Sequence, residues 1–166
     1  MQAGCRKFDP CQVHQFLSEF KLLHLINDFT DKFFSFLLED PVRPNIPQVD
    51  RIGNNKDIFV MRGEDDKAQA ITCVSYQITV PTTEAELFEM CEDPEIAVFY
   101  TIWSYKPGAG RQLIFDAAQY IREHRPEIKR FVTLSPKTEL ARKFHLKNGA
   151  VIFRENVDTV NYEYMG

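Results

Sequence analysis

Residues 97–149 read AVFYTIWSYKPGAGRQLIFDAAQYIREHRPEIKRFVTLSPKTELARKFHLKNG, and this stretch decides the fold. An apolar strand runs into Lys106-Pro107-Gly108-Ala109-Gly110 and then into a helical pattern. A glycine pair at a helix start leaves several backbone amides unpaired and pointing one way, and the helix dipole adds partial positive charge there. Gly108 and Gly110 have no Cβ, so an anionic group can approach the backbone closely. The segment therefore points to a phosphate-bearing ligand. It does not point to a dinucleotide, because the G-x-G-x-x-G fingerprint would need glycine where Leu113 stands. A P-loop is excluded as well, since no Gly-Lys-Ser/Thr follows.

The flanking elements follow from periodicity. Leu113, Ile114, Ala117, Ala118 and Ile121 form one stripe of a helix expected over Arg111–His124, and Pro126 stops it. Arg130–Leu134 is the next strand. Ser135-Pro136 is expected to supply an N-cap and a first-turn proline, and Asn148-Gly149 ends the second helix. AVIF and TVNYEY close the chain as strands.

Upstream, Ile96–Ser104 shows little polar alternation, as a strand buried on both faces should. DIFVMR and QAITCVSYQITV form a hairpin through GEDDK. Thr83 with Glu86 makes a capping-box pattern over the short helix AELFEMCE. Pro41, Pro44 and Pro47 mark an irregular loop. From Cys11 to Glu39, the spacing of Phe16, Phe20, Leu23, Phe29, Phe33 and Leu37 predicts two helices parted at Asn27-Asp28, preceded by a short strand CRKF. Leu140 and Phe144, four residues apart, are expected in the core.

A chain of 166 residues with 44% hydrophobic content fits a single domain over 1–166. Its net charge of -4 argues against general attraction to nucleic acid or an anionic membrane. Lys106, Arg111, Arg142, Lys143 and Lys147 still gather locally around the glycine loop. The charged opening and the lack of a long apolar run predict a soluble, cytoplasmic protein. Cys5, Cys11, Cys73 and Cys91 form neither a disulfide framework nor a metal-ligand pattern, so no metal is expected. An edge strand and surplus phenylalanines would suit a homodimer.

With these elements in place, the chain resembles the GNAT acyl-CoA N-acyltransferase superfamily. YKPGAGRQLI is similar to its pyrophosphate loop and helix start; ELARKFHLKNGAVIF is similar to its later helix-and-glycine segment. The resemblance implies an α+β fold with a GNAT-like mixed central sheet of about six or seven strands and helices on both faces. It implies acetyl-CoA or another acyl-CoA as co-substrate. Ile102, Trp103 and Ser104 would pair with the pantetheine arm, and Lys106, Gly108, Ala109, Gly110 and Arg111 would surround the pyrophosphate. The implied reaction is acyl transfer to an unidentified amine.

Two positions depart from the superfamily pattern: Tyr105 at the loop start, and His145 where the later helix usually carries tyrosine. TLSP, FHLKNGA and the terminal NYEY are instead similar to the catalytic C-terminal part of malonyl-CoA decarboxylase. That likeness implies Ser135 and His145 as catalytic residues, with decarboxylation or S-acyl transfer on a thioester as alternatives. Ten residues of one helix would rise about 15 Å, too far for a serine–histidine hydrogen bond, so Ser135 is read in preference as a helix cap. Thr138, Ala141 and His145 share one helix face, along which a cofactor arm could lie. Glu84, Glu86 and Glu95 are candidate bases at loop edges. A non-catalytic, CoA-binding or interaction role is the third reading.

Overall fold

Residues 22–165 are described by a computed structural model. Its centre is one mixed eight-stranded sheet. β1 (Leu23–Leu25), β2 (Lys56–Arg62), β3 (Ala68–Gln77) and β4 (Ile96–Ser104) pair antiparallel in sequence order. β4 then pairs in parallel with β5 (Arg130–Thr133), after the crossover helix α1 (Ala109–His124). β8 (Thr159–Tyr164) lies antiparallel to β5 and to the two-residue β6 (Ser135–Pro136), which carries on along the line of β5. α2 (Glu139–Lys147) leads into β7 (Val151–Glu155), which covers the far side of β8.

Each face of the sheet carries its own core. Leu113, Ile114, Ala117 and Ile121 of α1 pack on one face with Phe131, Tyr162 and Tyr164, joined by Phe144 and Leu146 of α2. The other face is covered by short 3-10 helices at Phe34–Glu39 and Glu84–Phe88 and by the proline-rich loop, which bring Leu37, Ile46 and Leu87 onto Val98, Tyr100 and Leu134. Helical turns thus lie on both faces, α-helical on one and 3-10 on the other.

Four local expectations are corrected. Leu22 to Glu39 is not helical up to Asn27: Leu23–Leu25 is an edge strand on β2, and only Phe34–Glu39 forms a 3-10 helix. Asp28 and Asp31 explain the break. Each turns its carboxylate onto a backbone amide two residues ahead (Thr30 and Phe33, both at 2.8 Å), which competes with helix. The rest of that predicted pair, and the strand CRKF, lie outside the described residues. Glu84–Phe88 is 3-10 and lacks a side-chain cap; Glu86 reaches back to the Thr82 amide instead. Ser135 does not cap α2, because it sits in β6; Thr138 is the cap, its hydroxyl accepting from the Ala141 amide at 3.2 Å. Leu140 is 83% exposed at the rim of the cleft described below, not in the core.

Candidate active site between parted strands

β4 and β5 stay paired only as far as Phe99 and Thr133, and the Leu134 amide makes a final bond to the Phe99 carbonyl at 3.0 Å. Beyond it, β4 continues to Ser104 against β3 while the other chain leans away as β6. A register shift opposite Cys73-Val74 makes Tyr100 an extra residue in β4 and bends it at the point of parting. The gap is a cavity of about 360 Å³ between β4, the Ser135-Pro136 segment and the Thr138, Ala141 and His145 face of α2, with Pro41 and Val42 at its far end.

Backbone polarity in the gap follows from strand geometry. Tyr105 donates its amide to Gln69 on β3, so Trp103 also faces β3, while Ile102 and Ser104 turn their amides and carbonyls into the gap. Of the three strand residues expected to pair with a pantetheine arm, all line the cleft, and Ile102 and Ser104 present backbone groups to it. Trp103 is buried in the core opposite the α-helices, its indole N–H donating to the Tyr105 hydroxyl at 3.0 Å.

At the mouth of the gap, Gly108 has φ +84° and begins α1. The Ala109 amide is taken by the Lys106 carbonyl at 3.1 Å. The amides of Gly108, Gly110 and Arg111 have no hydrogen-bond partner among the described residues. They form a concave, partly positive cradle at a helix N-terminus. A Cβ on Gly108 would meet no protein atom within 4 Å, whereas one on Gly110 would sit 3.5 Å from the Phe144 ring. Gly108 thus answers to backbone conformation and open space; Gly110 answers to packing against α2. Lys106 and Arg111 are exposed beside the cradle and make no ion pair among the described residues. These features fit the linked phosphates of CoA. Gly108→Val strains the left-handed backbone and fills the cradle, so CoA affinity is expected to fall at least ten-fold, measured by calorimetric titration.

His145 ends the gap on the helix side. It is 4% exposed, stacked on Tyr162 with ring centroids 4.9 Å apart, and its Nδ1 lies 2.8 Å from the Tyr164 hydroxyl. Burial lowers its pKa from 6.5 to about 4 and pushes the Tyr164 phenol above its usual range, so both groups are neutral near pH 7. The direction of this bond follows the ring tautomer: with the Tyr164 hydroxyl donating, Nδ1 accepts and the ring proton resides on Nε2. The histidine is therefore a neutral side chain lining the cleft, and in that tautomer it keeps an Nε2–H to donate. Because the unfolded chain binds this proton more tightly, stability should decline as pH falls from about 6.5 towards 4, by about 3 kcal/mol in all. His145→Gln should remove that part of the acid sensitivity in urea titrations run at several pH values.

Opposite His145, the proline-rich loop sends Arg43 under the parting strands. Arg43 Nε donates to the Tyr100 carbonyl at 3.1 Å, Nη2 to the Leu134 carbonyl at 2.7 Å, and Nη1 to Glu84 at 3.3 Å. The loop is held by a buried ion pair between Arg51 and Asp40 at 2.7 Å. Asp40 also accepts from the Val42 and Arg43 amides and from Thr101 Oγ1 on β4. Of these residues the sequence points only to Glu84, as a candidate base; for the others the charged residues of the D-P-x-R-P context are the available signal, and it does not reveal a partner on β4. Tyr164 lay within the NYEY motif, where period-two alternation places it with Tyr162 on one face.

Ser135 and His145 both line the cleft but do not touch through a hydrogen bond: Ser135 Oγ donates to Thr133 Oγ1 at 2.8 Å. The helical spacing expected to separate them does not apply, since α2 starts only at Glu139. The Thr138 oxygen accepts the capping bond, and its O–H can still donate. Of the candidate bases, Glu84 approaches the gap through Arg43, Glu86 is held by Thr82 and Thr83, and Glu95 is exposed at the far end of β4. Cys73 is fully buried with its thiol pushed up to about 11, so it is unreactive. Among the described residues no cluster suits a metal ion and no helix is long and apolar enough to cross a membrane.

A mixed sheet whose parallel central strands part beside a helix N-terminal amide cradle is the GNAT fold, and solved structures of that class match the chain. Malonyl-CoA decarboxylase from Rhodopseudomonas palustris matches at 19% identity over 95% of this chain and 64% of its own, with TM-score 0.63. The Agrobacterium vitis malonyl-CoA decarboxylase matches at 23% identity over 82% of this chain and 39% of its own, with TM-score 0.62. A Bacillus subtilis acetyltransferase in complex with CoA matches at 14% identity over 87% of this chain and 97% of its own, with TM-score 0.58. The chain thus spans 39–64% of the length of the decarboxylases it resembles but nearly a whole acetyltransferase. No protein-family model matches the chain, and no curated protein matches it in sequence.

Proposed function

We propose that the protein binds an acyl-CoA in this cleft and transfers its acyl group to an amine acceptor. The observation that carries the reading is the set of unpaired amides at Gly108, Gly110 and Arg111, standing beside strands that part after Phe99. The cradle accepts the pyrophosphate, with Lys106 and Arg111 adding charge. Ile102 and Ser104 offer the pantetheine arm an unpaired strand edge, much as a further strand would be received. A bound thioester supplies an electrophilic carbonyl and a thiolate leaving group. Nε2–H of His145 donates to the oxygen or sulfur that gains charge, and Tyr164 keeps the ring in that tautomer. Proton transfer through a charged imidazolium is disfavoured, because burial keeps the ring neutral.

A second reading rests on one further observation: among the described residues the cleft lining contains no carboxylate. A site made of donors without a base suits the enolate left when a malonyl thioester loses carbon dioxide, a reaction that needs no acceptor. Separate incubations with acetyl-CoA and malonyl-CoA, scored for free CoA and for carbon dioxide, distinguish the two. Amine-dependent release of CoA from acetyl-CoA is expected; conversion of malonyl-CoA to acetyl-CoA without an acceptor would overturn the transferase reading. A protein that binds no CoA at millimolar concentration would instead belong to the non-catalytic class.

A further inference from the structure

We propose that Arg43 is the positioning residue of the cleft: by bonding the carbonyls of Tyr100 and Leu134 together, it fixes where β4 and β5 stop pairing and how far apart they stand. Both carbonyls belong to the residues that immediately follow the last parallel pairing, and the final rung from the Leu134 amide to the Phe99 carbonyl lies directly beside them. Strands that separate inside a sheet expose backbone acceptors that need a partner. A guanidinium supplies donors in a rigid planar fork, so it sets a distance as well as satisfying two oxygens.

Arg43 is itself held firmly. Its side chain is 10% exposed, its amide donates to Asp40 Oδ1 at 3.0 Å, and its carbonyl accepts from Arg51 Nη2 at 2.8 Å. Asp40 in turn grips Thr101 Oγ1 at 2.8 Å, next to the bulged Tyr100. The loop, the bulge and the gap are therefore one unit, and a lysine cannot replace its centre. Lysine carries one ammonium on a flexible stem and lacks the planar fork needed to span both carbonyls at a set spacing.

The proposal deepens the acyl-CoA reading, and its first readout does not depend on that reading. Amide hydrogen exchange at Leu134 is compared in the wild type, Arg43→Met, Arg43→Lys and the control Arg130→Met, which breaks the Arg130–Glu163 pair at the other end of the same strand. Without the spacer the last rung frays. Leu134 should exchange at least ten-fold faster in Arg43→Met, less so in Arg43→Lys, and no faster in Arg130→Met than global stability dictates. CoA affinity, titrated in parallel, should fall at least ten-fold in Arg43→Met and remain in Arg130→Met. If Arg43→Met does not fold, Arg43→Lys carries the test on both readouts. Unchanged Leu134 exchange in the folded Arg43 variants overturns the spacer. Faster exchange in a protein that binds no CoA upholds the spacer and rejects the ligand.

Discussion

Asp40→Ala is expected to cost about 3–5 kcal/mol of folding stability, the loss typical of removing one partner from a buried ion pair. Arg51 is 1% exposed, so the variant strands a guanidinium with no counter-charge and no route to water. Its Nε has no hydrogen-bond partner among the described residues, so only the Nη2 bonds to the Arg43 and Ile46 carbonyls and a Cys73 contact remain. The same carboxylate holds the Val42 and Arg43 amides and Thr101, so the loop loses its attachment to β4 at the same time. Against the roughly 5–15 kcal/mol that holds a domain folded, this is a large fraction. Urea denaturation should show the midpoint moving far down with a similar slope, and the double variant Asp40→Leu with Arg51→Met should recover part of the loss, because no charge is then left buried. A loss below about 1 kcal/mol in Asp40→Ala would show that the pair is not the anchor described.

His145→Ala should lower turnover about 10²–10³-fold, the usual consequence of deleting a donor aimed at developing charge. CoA affinity should change little, because the phosphate cradle lies on α1 and the histidine on α2. The pH profile supplies the sharper sign. With a pKa near 4 the imidazole does not titrate around 6.5, so wild-type turnover should show no histidine limb there. A limb at about 6.5 that vanishes in His145→Ala would mean that the ring is charged and acts as an acid. Rates measured from pH 5 to 8 on folded protein, with saturating thioester, decide between them.

Much of this architecture is legible in the chain because it is written locally. The Ala-Ile stripe of α1, the apolar run of β4, the glycine loop and the Asn148-Gly149 stop each carry their signal within a few residues. Reading fails where the decisive partner is distant or where side chains compete with the backbone. The Phe-Leu spacing before Glu39 imitates a helix, but the Asp28 and Asp31 carboxylates hold turns, and β2 pairs with Leu23–Leu25 across a long separation. Ser135-Pro136 has the composition of a helix start, yet β8 recruits it as a strand. In the site, spacing marks the glycine turn and the shared face of Thr138, Ala141 and His145, while a chemical role for His145 is implied only by the resemblance. Arg43 could not, since its partners Tyr100 and Leu134 lie 57 and 91 residues away. The same holds for Tyr164, 19 residues beyond His145.

Nitrogen-15 NMR of the backbone amides during a CoA titration reaches the central claim most directly. Gly108, Gly110 and Arg111 should shift together and saturably as phosphate oxygens accept their hydrogens, with Ile102 and Ser104 following and the internally bonded Ala109 shifting least. Those resonances staying fixed up to millimolar CoA, or shifts confined to another part of the molecule, would contradict it.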